Sequence, residues 1–224
     1  MILCIGDVLS GEALSLMRNK LASANFIDGK VTAGWHARLV KKNTQLSKES
    51  PVLEEVKALV HNALKGNTLF QMAARPKCIH SMLISRYEAG MAYGTHTDDA
   101  LMRSHNQVMR SDISFTLFLN SPEEYAGGEL VIESTQGEEE YKLPAGSMIV
   151  YPSSTLHRVA TVTQGVRLVA VSWVQSLIRD PHEREILFDL DTVRQSLFKQ
   201  YGKTSEFDLL SKTHANLLRK WVDC

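Results

Sequence analysis

The chain has 224 residues, of which 44% are hydrophobic and 22% are charged, a composition typical of a globular protein in solution. Its 25 basic residues balance 25 acidic ones, so net charge provides no general attraction to nucleic acid or to an anionic membrane surface. The length predicts one main domain with a small appendage.

The N-terminal residues MILCIGDVLSG and the cysteines together predict a cytoplasmic protein. The apolar run is broken at Asp7, lacks the basic start of a secretory signal and is too short to span a bilayer. Cys4, Cys78 and Cys224 are widely separated and form no CxxC pair. This spacing argues against disulfides and against a cysteine zinc site, so we interpret the three as buried or incidental thiols.

Residues 1–78 are predicted to form a layer of helices and strands that supports the rest of the chain. In the segment SPVLEEVKALVHNALKGN, apolar residues recur at helical spacing. Ser50 is the predicted cap, Pro51 suits the first turn and Gly66 ends the helix. The earlier segment GEALSLMRNKLAS has a weaker form of the same pattern. The two helices should therefore pack on a flat surface.

Between residues 79 and 178 the pattern changes to short strands. Apolar runs such as SMLISRYEAG, DISFTLFLN, GGELVIES and VRLVAVSWVQ are separated by breaks rich in glycine, proline and serine. Many short strands with no helices between them predict an antiparallel sandwich or jelly roll rather than a parallel sheet. The predicted fold class is therefore mainly β with flanking helices.

Residues 179–224 return to a helical pattern after Pro181. Two helices are predicted, the second with Ser205 as its cap. A helical hairpin of about forty residues is too small to hold a core alone. We expect it to dock on the barrel or on a second copy of the chain, so a homodimer stays open.

The segment YGTHTDDA places His96 and Asp98 two positions apart. In an extended strand, alternate side chains point to the same face, so this imidazole and carboxylate could share one divalent metal ion. Asp99 would then point away from the ion. The pair alone is weak evidence, because HxD occurs often by chance and a surface or capping role is the usual explanation.

The best candidate for a third ligand is His157, at the start of a later strand. If Thr163 to Gly165 formed a hairpin turn, His157 and Arg167 would face the same interior side, on levels roughly 13 Å apart. An inward arginine among valines requires an anionic partner, and its planar fork suits a carboxylate. An arginine side chain and a five-carbon dicarboxylate could together bridge that gap.

Two histidines and one carboxylate that leave metal positions open are typical of non-haem Fe(II) oxygenases. The order His96-x-Asp98, His157 and, ten residues later, Arg167 resembles the Fe(II)/2-oxoglutarate-dependent dioxygenases of the prolyl- and lysyl-hydroxylase type. The segments RYEAGMAYGTHTDDA, YAGGELVI, YPSSTLHRV and LLRKWVD are similar to PKHD-type (PiuC-like) hydroxylases, over essentially the whole chain.

This resemblance implies a double-stranded β-helix in which His96, Asp98 and His157 hold iron and Arg167 binds the distal carboxylate of 2-oxoglutarate. Tyr87 matches a tyrosine that hydrogen-bonds the cosubstrate in related hydroxylases, with plain packing as the alternative. The implied reaction uses O₂ and converts 2-oxoglutarate to succinate and CO₂ as a substrate is hydroxylated. L-ascorbate is the implied reductant that keeps the iron ferrous.

Two other functions stay open on the sequence alone. A nucleic-acid demethylase of related fold typically has a second arginine six residues after the first, where this chain has Trp173. A non-catalytic barrel that binds a metal or a small acid fits less well with a complete set of ligands. We expect neither a nucleic-acid nor a membrane partner.

Both a peptidyl and a small-molecule primary substrate stay open on the sequence alone. Loop residues that could rim the mouth of the site are Arg103, His105, Asn106, Arg110 and Tyr125.

Overall fold

The structure, a computed structural model, describes residues 1–104 and 107–223. His105 and Asn106, expected near the mouth, and Cys224 lie outside the described residues. The α-helices span Gly11–Ala22 (α1), Leu53–Gly66 (α2), Thr68–Ala74 (α3), Pro181–Tyr201 (α4) and Ser205–Trp221 (α5). Among the helices of these described ranges, none is long and apolar enough to cross a lipid bilayer.

The strands pair into two antiparallel sheets and a separate hairpin. They are Leu3–Ile5 (β1), Phe26–Asp28 (β2), Lys41–Lys42 (β3), Thr44–Leu46 (β4), Pro76–Ile79 (β5), Leu83–Glu88 (β6), Ala92–His96 (β7), Leu101–Ser104 (β8), Gln107–Arg110 (β9), Ile113–Phe118 (β10), Tyr125–Gly127 (β11), Leu130–Ser134 (β12), Gly137–Tyr141 (β13), Met148–Pro152 (β14), His157–Val159 (β15) and Val162–Ser176 (β16).

In the major sheet the strand order is β1-β14-β10-β16-β6-β4-β2, and β5 and β11 also pair with β16. The minor sheet has the order β13-β12-β15-β7-β3, and β8 pairs with β9. Helices α4 and α5 pack on each other at the C-terminal end. The predicted fold class, mainly β in jelly-roll form with a C-terminal helical hairpin, is confirmed.

Strand β10 shows how the layers are held together, because all six of its residues are buried. Phe115 and Leu117 belong to an apolar cluster that also contains Val56 and Val60 of α2. Phe118 lies instead in the cluster between the sheets, with Leu130 of β12. Alternate side chains thus face the helices and the barrel interior. The early helices cover the major sheet, as the sequence predicted.

Several local predictions need correction. Helix α2 begins at Leu53, and Val52 rather than Ser50 precedes it, without a side-chain capping bond. Helix α3 was not predicted. The cap of α5 is Thr204, whose hydroxyl accepts from the backbone N–H of Phe207 at 3.2 Å, so Ser205 is the first helical residue.

The cysteines that the structure describes, Cys4 and Cys78, are free and exposed. The interpretation of these two as buried is therefore wrong, and the alternative, incidental thiols, stays a prediction.

The predicted hairpin at Thr163 to Gly165 is wrong. These residues lie inside β16, which pairs with β10 and β6 of the major sheet, whereas β15 pairs with β12 and β7 of the minor sheet. Gly165, at φ +76°, passes so close to β11 that an added Cβ would lie 2.2 Å from the carbonyl oxygen of Glu124. In a jelly roll the chain crosses between sheets here instead of folding back on itself.

The C-terminal helices dock on α3 through a polar cluster. Arg75, which follows α3 in a left-handed conformation, donates from Nη2 to the carbonyl of Leu187 at 3.3 Å. The same Nη2 lies 3.5 Å from Asp191 Oδ2 and 3.0 Å from His214 Nε2. Because a guanidinium only donates, His214 accepts through Nε2 and is neutral. Burial lowers the pKa of His214 below its ordinary value of 6.5, although the Asp191 carboxylate opposes this shift.

We expect Asp191→Asn to lower the free energy of unfolding by about 3 kcal/mol, because it leaves Arg75 and Arg194 facing each other without a carboxylate between them. Asp189→Asn, on the exposed side of α4, is the matched control and should change stability by less than about 0.5 kcal/mol. Urea unfolding followed by circular dichroism measures both. Equal and small effects would contradict a stabilising role for the cluster.

Acid should weaken this docking through His214. Since its pKa is lower in the folded protein than in the unfolded chain, the unfolded chain takes up the proton first as the pH falls. The contribution of His214 is therefore full above about pH 6.5 and is lost progressively below that value. His214→Gln keeps an acceptor for Arg75 but does not titrate, so its stability should fall less between pH 7 and 5.5 than that of the unmodified chain. If His214→Gln and the unmodified chain lose the same stability between pH 7 and 5.5, His214 is not the cause of the sensitivity to acid.

Candidate active site

His96, Asp98 and His157 meet where β7 and β15 run side by side. His96 and His157 are direct partners across these strands, and Asp98 follows two residues after His96. One ligand atom from each of the three residues lies within 4.8 Å of the other two. His157 Nε2 is 3.9 Å from Asp98 Oδ2, and the two imidazole centres are 4.3 Å apart. The three side chains can thus reach a single metal ion.

Both imidazoles are oriented by backbone carbonyls two residues earlier. His96 Nδ1 donates to the carbonyl of Gly94 at 2.8 Å, and His157 Nδ1 donates to that of Thr155 at 3.0 Å. Each Nε2 therefore keeps a free lone pair, the form a metal requires. Burial, and then the neighbouring His157, lowers the pKa of His96 to about 4. His96 is consequently neutral near pH 7.

Asp98 is supported from the major sheet, whereas Asp99 is not. The hydroxyl of Ser114, on β10, donates to Asp98 Oδ2 at 2.5 Å. Because the hydroxyl hydrogen of Ser114 is used in this bond, the Ser114 oxygen accepts a hydrogen bond from the hydroxyl of Ser153 at 2.8 Å. The side chain of Asp98 is buried and that of Asp99 is exposed. Sequence reasoning missed Ser114, although a serine at an inward position of the apolar run DISFTLFLN was the available signal.

Arg167 lies in the same barrel interior, 1% exposed. It pairs with Tyr87 across β16 and β6, and its guanidinium carbon lies 5.1 Å from the Tyr87 ring centre and 5.6 Å from that of Phe118. Its Nε is buried without a hydrogen-bond partner among the described residues. A buried cation with an unused donor fits an anionic ligand that approaches from the interior.

The Gly127-Gly128 pair makes room for this arginine. Gly128 has φ +70°, and a Cβ there would lie 3.0 Å from Arg167 Cδ. Tyr125, just before the pair, is 4% exposed, and its hydroxyl is buried without a partner in the described part of the chain. Tyr125 was expected at the solvated mouth. That placement is wrong, because β11 pairs with β16 and carries the ring inside.

Tyr93 was also missed, because a bulge changes the side to which it points. Tyr93 pairs with Val159 and His96 pairs with His157, so three steps on β7 match two on β15. The Tyr93 ring stacks on the His96 ring, with centres 3.7 Å apart and an angle of 19°. Regular alternation would have placed residues 93 and 96 on opposite faces.

Of the other expected mouth residues, Arg103 is exposed. Arg110 instead binds two carboxylates, Asp112 at 2.6 Å from Nε and Asp223 at 3.2 Å from Nη1. It thereby ties the end of β9 to the residues after α5, which is a structural role.

Two family models match most of the chain. That of the 2OG-Fe(II) oxygenase superfamily matches residues 82–175, and that of the PKHD-type hydroxylase C-terminal domain matches residues 182–223. The three candidate metal ligands and Arg167 all fall inside the first match.

Curated relatives and a solved structure agree with these matches. A PKHD-type hydroxylase of Synechococcus sp. (strain JA-2-3B'a(2-13)) is 65% identical, with 100% of each chain covered. One of Rippkaea orientalis is 60% identical, with 99% of each covered. Among solved structures, HygX from Streptomyces hygroscopicus, with nickel and 2-oxoglutarate bound, has a TM-score of 0.56 at 11% identity, covering 78% of this chain and 82% of HygX. At that identity the likeness concerns the fold alone.

We expect the purified protein to bind one Fe(II) per chain, and His96→Ala, Asp98→Ala and His157→Ala each to abolish that binding, because each removes one of three ligands. Asp99→Asn is the matched control and should bind as the unmodified chain does, since its side chain is exposed. Anaerobic equilibrium dialysis with metal analysis measures the stoichiometry. Equal losses in Asp98→Asn and Asp99→Asn would mean that the wrong carboxylate is assigned.

Proposed function

The chain belongs to the PKHD-type hydroxylase family and is an Fe(II)/2-oxoglutarate-dependent dioxygenase, and from this premise we propose that it hydroxylates a peptidyl or small-molecule substrate at the site just described. In this proposal His96, Asp98 and His157 hold Fe(II), and Arg167 holds 2-oxoglutarate. The observation that carries it is the presence, in one barrel interior, of a three-ligand cluster and a buried arginine that lacks a carboxylate partner in the described ranges.

The residues fit the two groups in chemistry as well as in position. With iron and 2-oxoglutarate bound, the site would couple oxidative decarboxylation of the cosubstrate, to succinate and CO₂, with substrate hydroxylation. The imidazoles offer Nε2 lone pairs, and Ser114 holds the Asp98 carboxylate in place. The Arg167 fork would make two charge-assisted hydrogen bonds to the distal carboxylate. Tyr87, its neighbour across the sheet, would add a hydroxyl donor.

Burial of these groups serves the same chemistry. The rings of Tyr87 and Phe118 both lie near the guanidinium of Arg167, which is almost inaccessible to solvent. Burial raises the pKa of Tyr87, so the phenol stays protonated and able to donate. In a site with little water, each hydrogen bond to the cosubstrate is stronger than it would be in solvent.

The two alternative functions gain no support. At the position where a demethylase would carry its second arginine, Trp173 lies edge-on to His80, with ring centres 5.9 Å apart. The three candidate metal ligands together with the buried Arg167 support a catalytic barrel over a non-catalytic one.

Further proposals rest on the sequence and on surface features. We propose L-ascorbate as a reductant of the iron, by family likeness, and a cytoplasmic location, which the free thiols Cys4 and Cys78 support. Exposed Phe198 and Leu209 on the C-terminal helices support a homodimer. The division at residues 1–78, 79–178 and 179–224 stays a prediction, as does the absence of nucleic-acid and membrane partners.

Arg167→Ala should still bind Fe(II) but bind 2-oxoglutarate at least tenfold more weakly, because a charge-assisted hydrogen bond contributes roughly 1.5–3 kcal/mol. Arg167→Lys should recover only part of the affinity, since an ammonium keeps the charge and loses the two-pronged geometry. Titration of the anaerobic Fe(II) protein with 2-oxoglutarate, followed by its visible charge-transfer band, measures this. Superimposable curves for Arg167→Ala and the unmodified protein would remove the arginine from the cosubstrate site.

A further inference from the structure

Lys41 is a buried lysine beside the metal-binding triad that the function proposed above does not use. It pairs with Tyr93 across β3 and β7, so the two side chains point to the same face of the minor sheet. Its Nζ lies 5.0 Å from the centre of the Tyr93 ring, which in turn stacks on His96. The ammonium is therefore separated from a predicted metal ligand by one aromatic ring.

The Lys41 ammonium keeps unused donors. Thr32 donates its hydroxyl hydrogen to Gln45 Oε1 at 2.6 Å, so the same hydroxyl accepts from Lys41 Nζ at 3.1 Å. This bond uses one of the three N–H groups of the ammonium. Lys41 takes part in none of the lysine ion pairs formed within residues 1–104 and 107–223. It is nevertheless 5% exposed, and a buried cation without a direct anionic partner is costly.

The charges in this region show why a buried Lys41 ammonium favours an anionic ligand. Burial lowers the pKa of Lys41 to about 8, with Asp98 and then Asp28 opposing the shift, so the amine is mostly protonated near pH 7. In the loaded site, a divalent ion, Asp98, Arg167 and the two carboxylates of 2-oxoglutarate cancel in charge. The positive charge of Lys41 is then left over, and Asp28, the other carboxylate that favours its charged form, makes no ion pair with it within the described residues.

We propose that Lys41 binds a carboxylate of the primary substrate, and thereby restricts the substrate class to molecules that carry a carboxylate close to the hydroxylated carbon. The proposal rests on the proposed function, because the hydroxylated carbon must lie beside the metal ion that the triad would hold. Thr32 holds the ammonium in position, and the Tyr93 ring spaces it from His96. Tyr93 itself stays neutral, since burial raises its pKa.

The test uses the anaerobic protein saturated with Fe(II) and 2-oxoglutarate. The probes are the straight-chain monocarboxylates from acetate to hexanoate, and the matching primary amides have the same shape without the charge. Their binding is followed by the shift of the visible charge-transfer band. The variants are Lys41→Met and Lys41→Gln, the second of which can still donate to Thr32. Lys42→Gln, the exposed neighbour on β3, is the matched control.

In the unmodified protein and Lys42→Gln, at least one carboxylate should bind tenfold or more tightly than its amide. Lys41→Met and Lys41→Gln should lose that preference and titrate normally with 2-oxoglutarate. The proposal is overturned if the unmodified protein shows no preference for a carboxylate over its amide. It is also overturned if both Lys41 variants keep that preference. A loss of 2-oxoglutarate affinity as large as that of Arg167→Ala overturns it as well, because this loss would assign Lys41 to the cosubstrate. Absence of the band from the unmodified protein with 2-oxoglutarate alone would instead count against the proposed function.

Discussion

The pairing of β7 with β15, which places His96 opposite His157, is the contact on which the site depends. It joins strands some sixty residues apart in the chain and fixes two imidazoles at 4.3 Å between ring centres. Asp98 follows directly on the same strand end. The major sheet then closes over these residues and supplies Ser114 and Arg167 from two adjacent strands. If this register slipped by one residue, His157 would move to the outer face.

The interior is unusual in the charge that it buries. Arg167 and Lys41 are both nearly inaccessible to solvent and lack direct carboxylate partners within the described residues. Burying a cation without a partner destabilises a fold. The large apolar clusters on both faces of β10 offset this cost. A protein is expected to tolerate this loss of stability where bound anionic ligands neutralise the buried cations.

The C-terminal helices are connected to the site through the β8–β9 hairpin, which follows Asp99. Arg110, at its end, binds Asp112 and also Asp223 beyond α5. Near the middle of α4, the Arg75 cluster holds the helices against α3. The C-terminal helices and Asp223 thus help to hold β8 and β9, which follow shortly after the triad residue Asp98. None of the residues of the C-terminal helices belongs to the triad.

The sequence alone was sufficient for the fold class. It also singled out the residues that the structure brings together, His96, Asp98 and His157, and the interior Arg167, because alternation and spacing are local properties and the joint motif resembles a known family. It also separated Asp98 from Asp99. The tertiary structure decided what depends on strands distant in sequence. The hairpin at Thr163 to Gly165 was wrong because β15 and β16 belong to different sheets, yet both His157 and Arg167 still face inward. Tyr93 and Lys41 escaped notice because a bulge in β7 reverses the alternation and because β3, only two residues long, has no recognisable pattern.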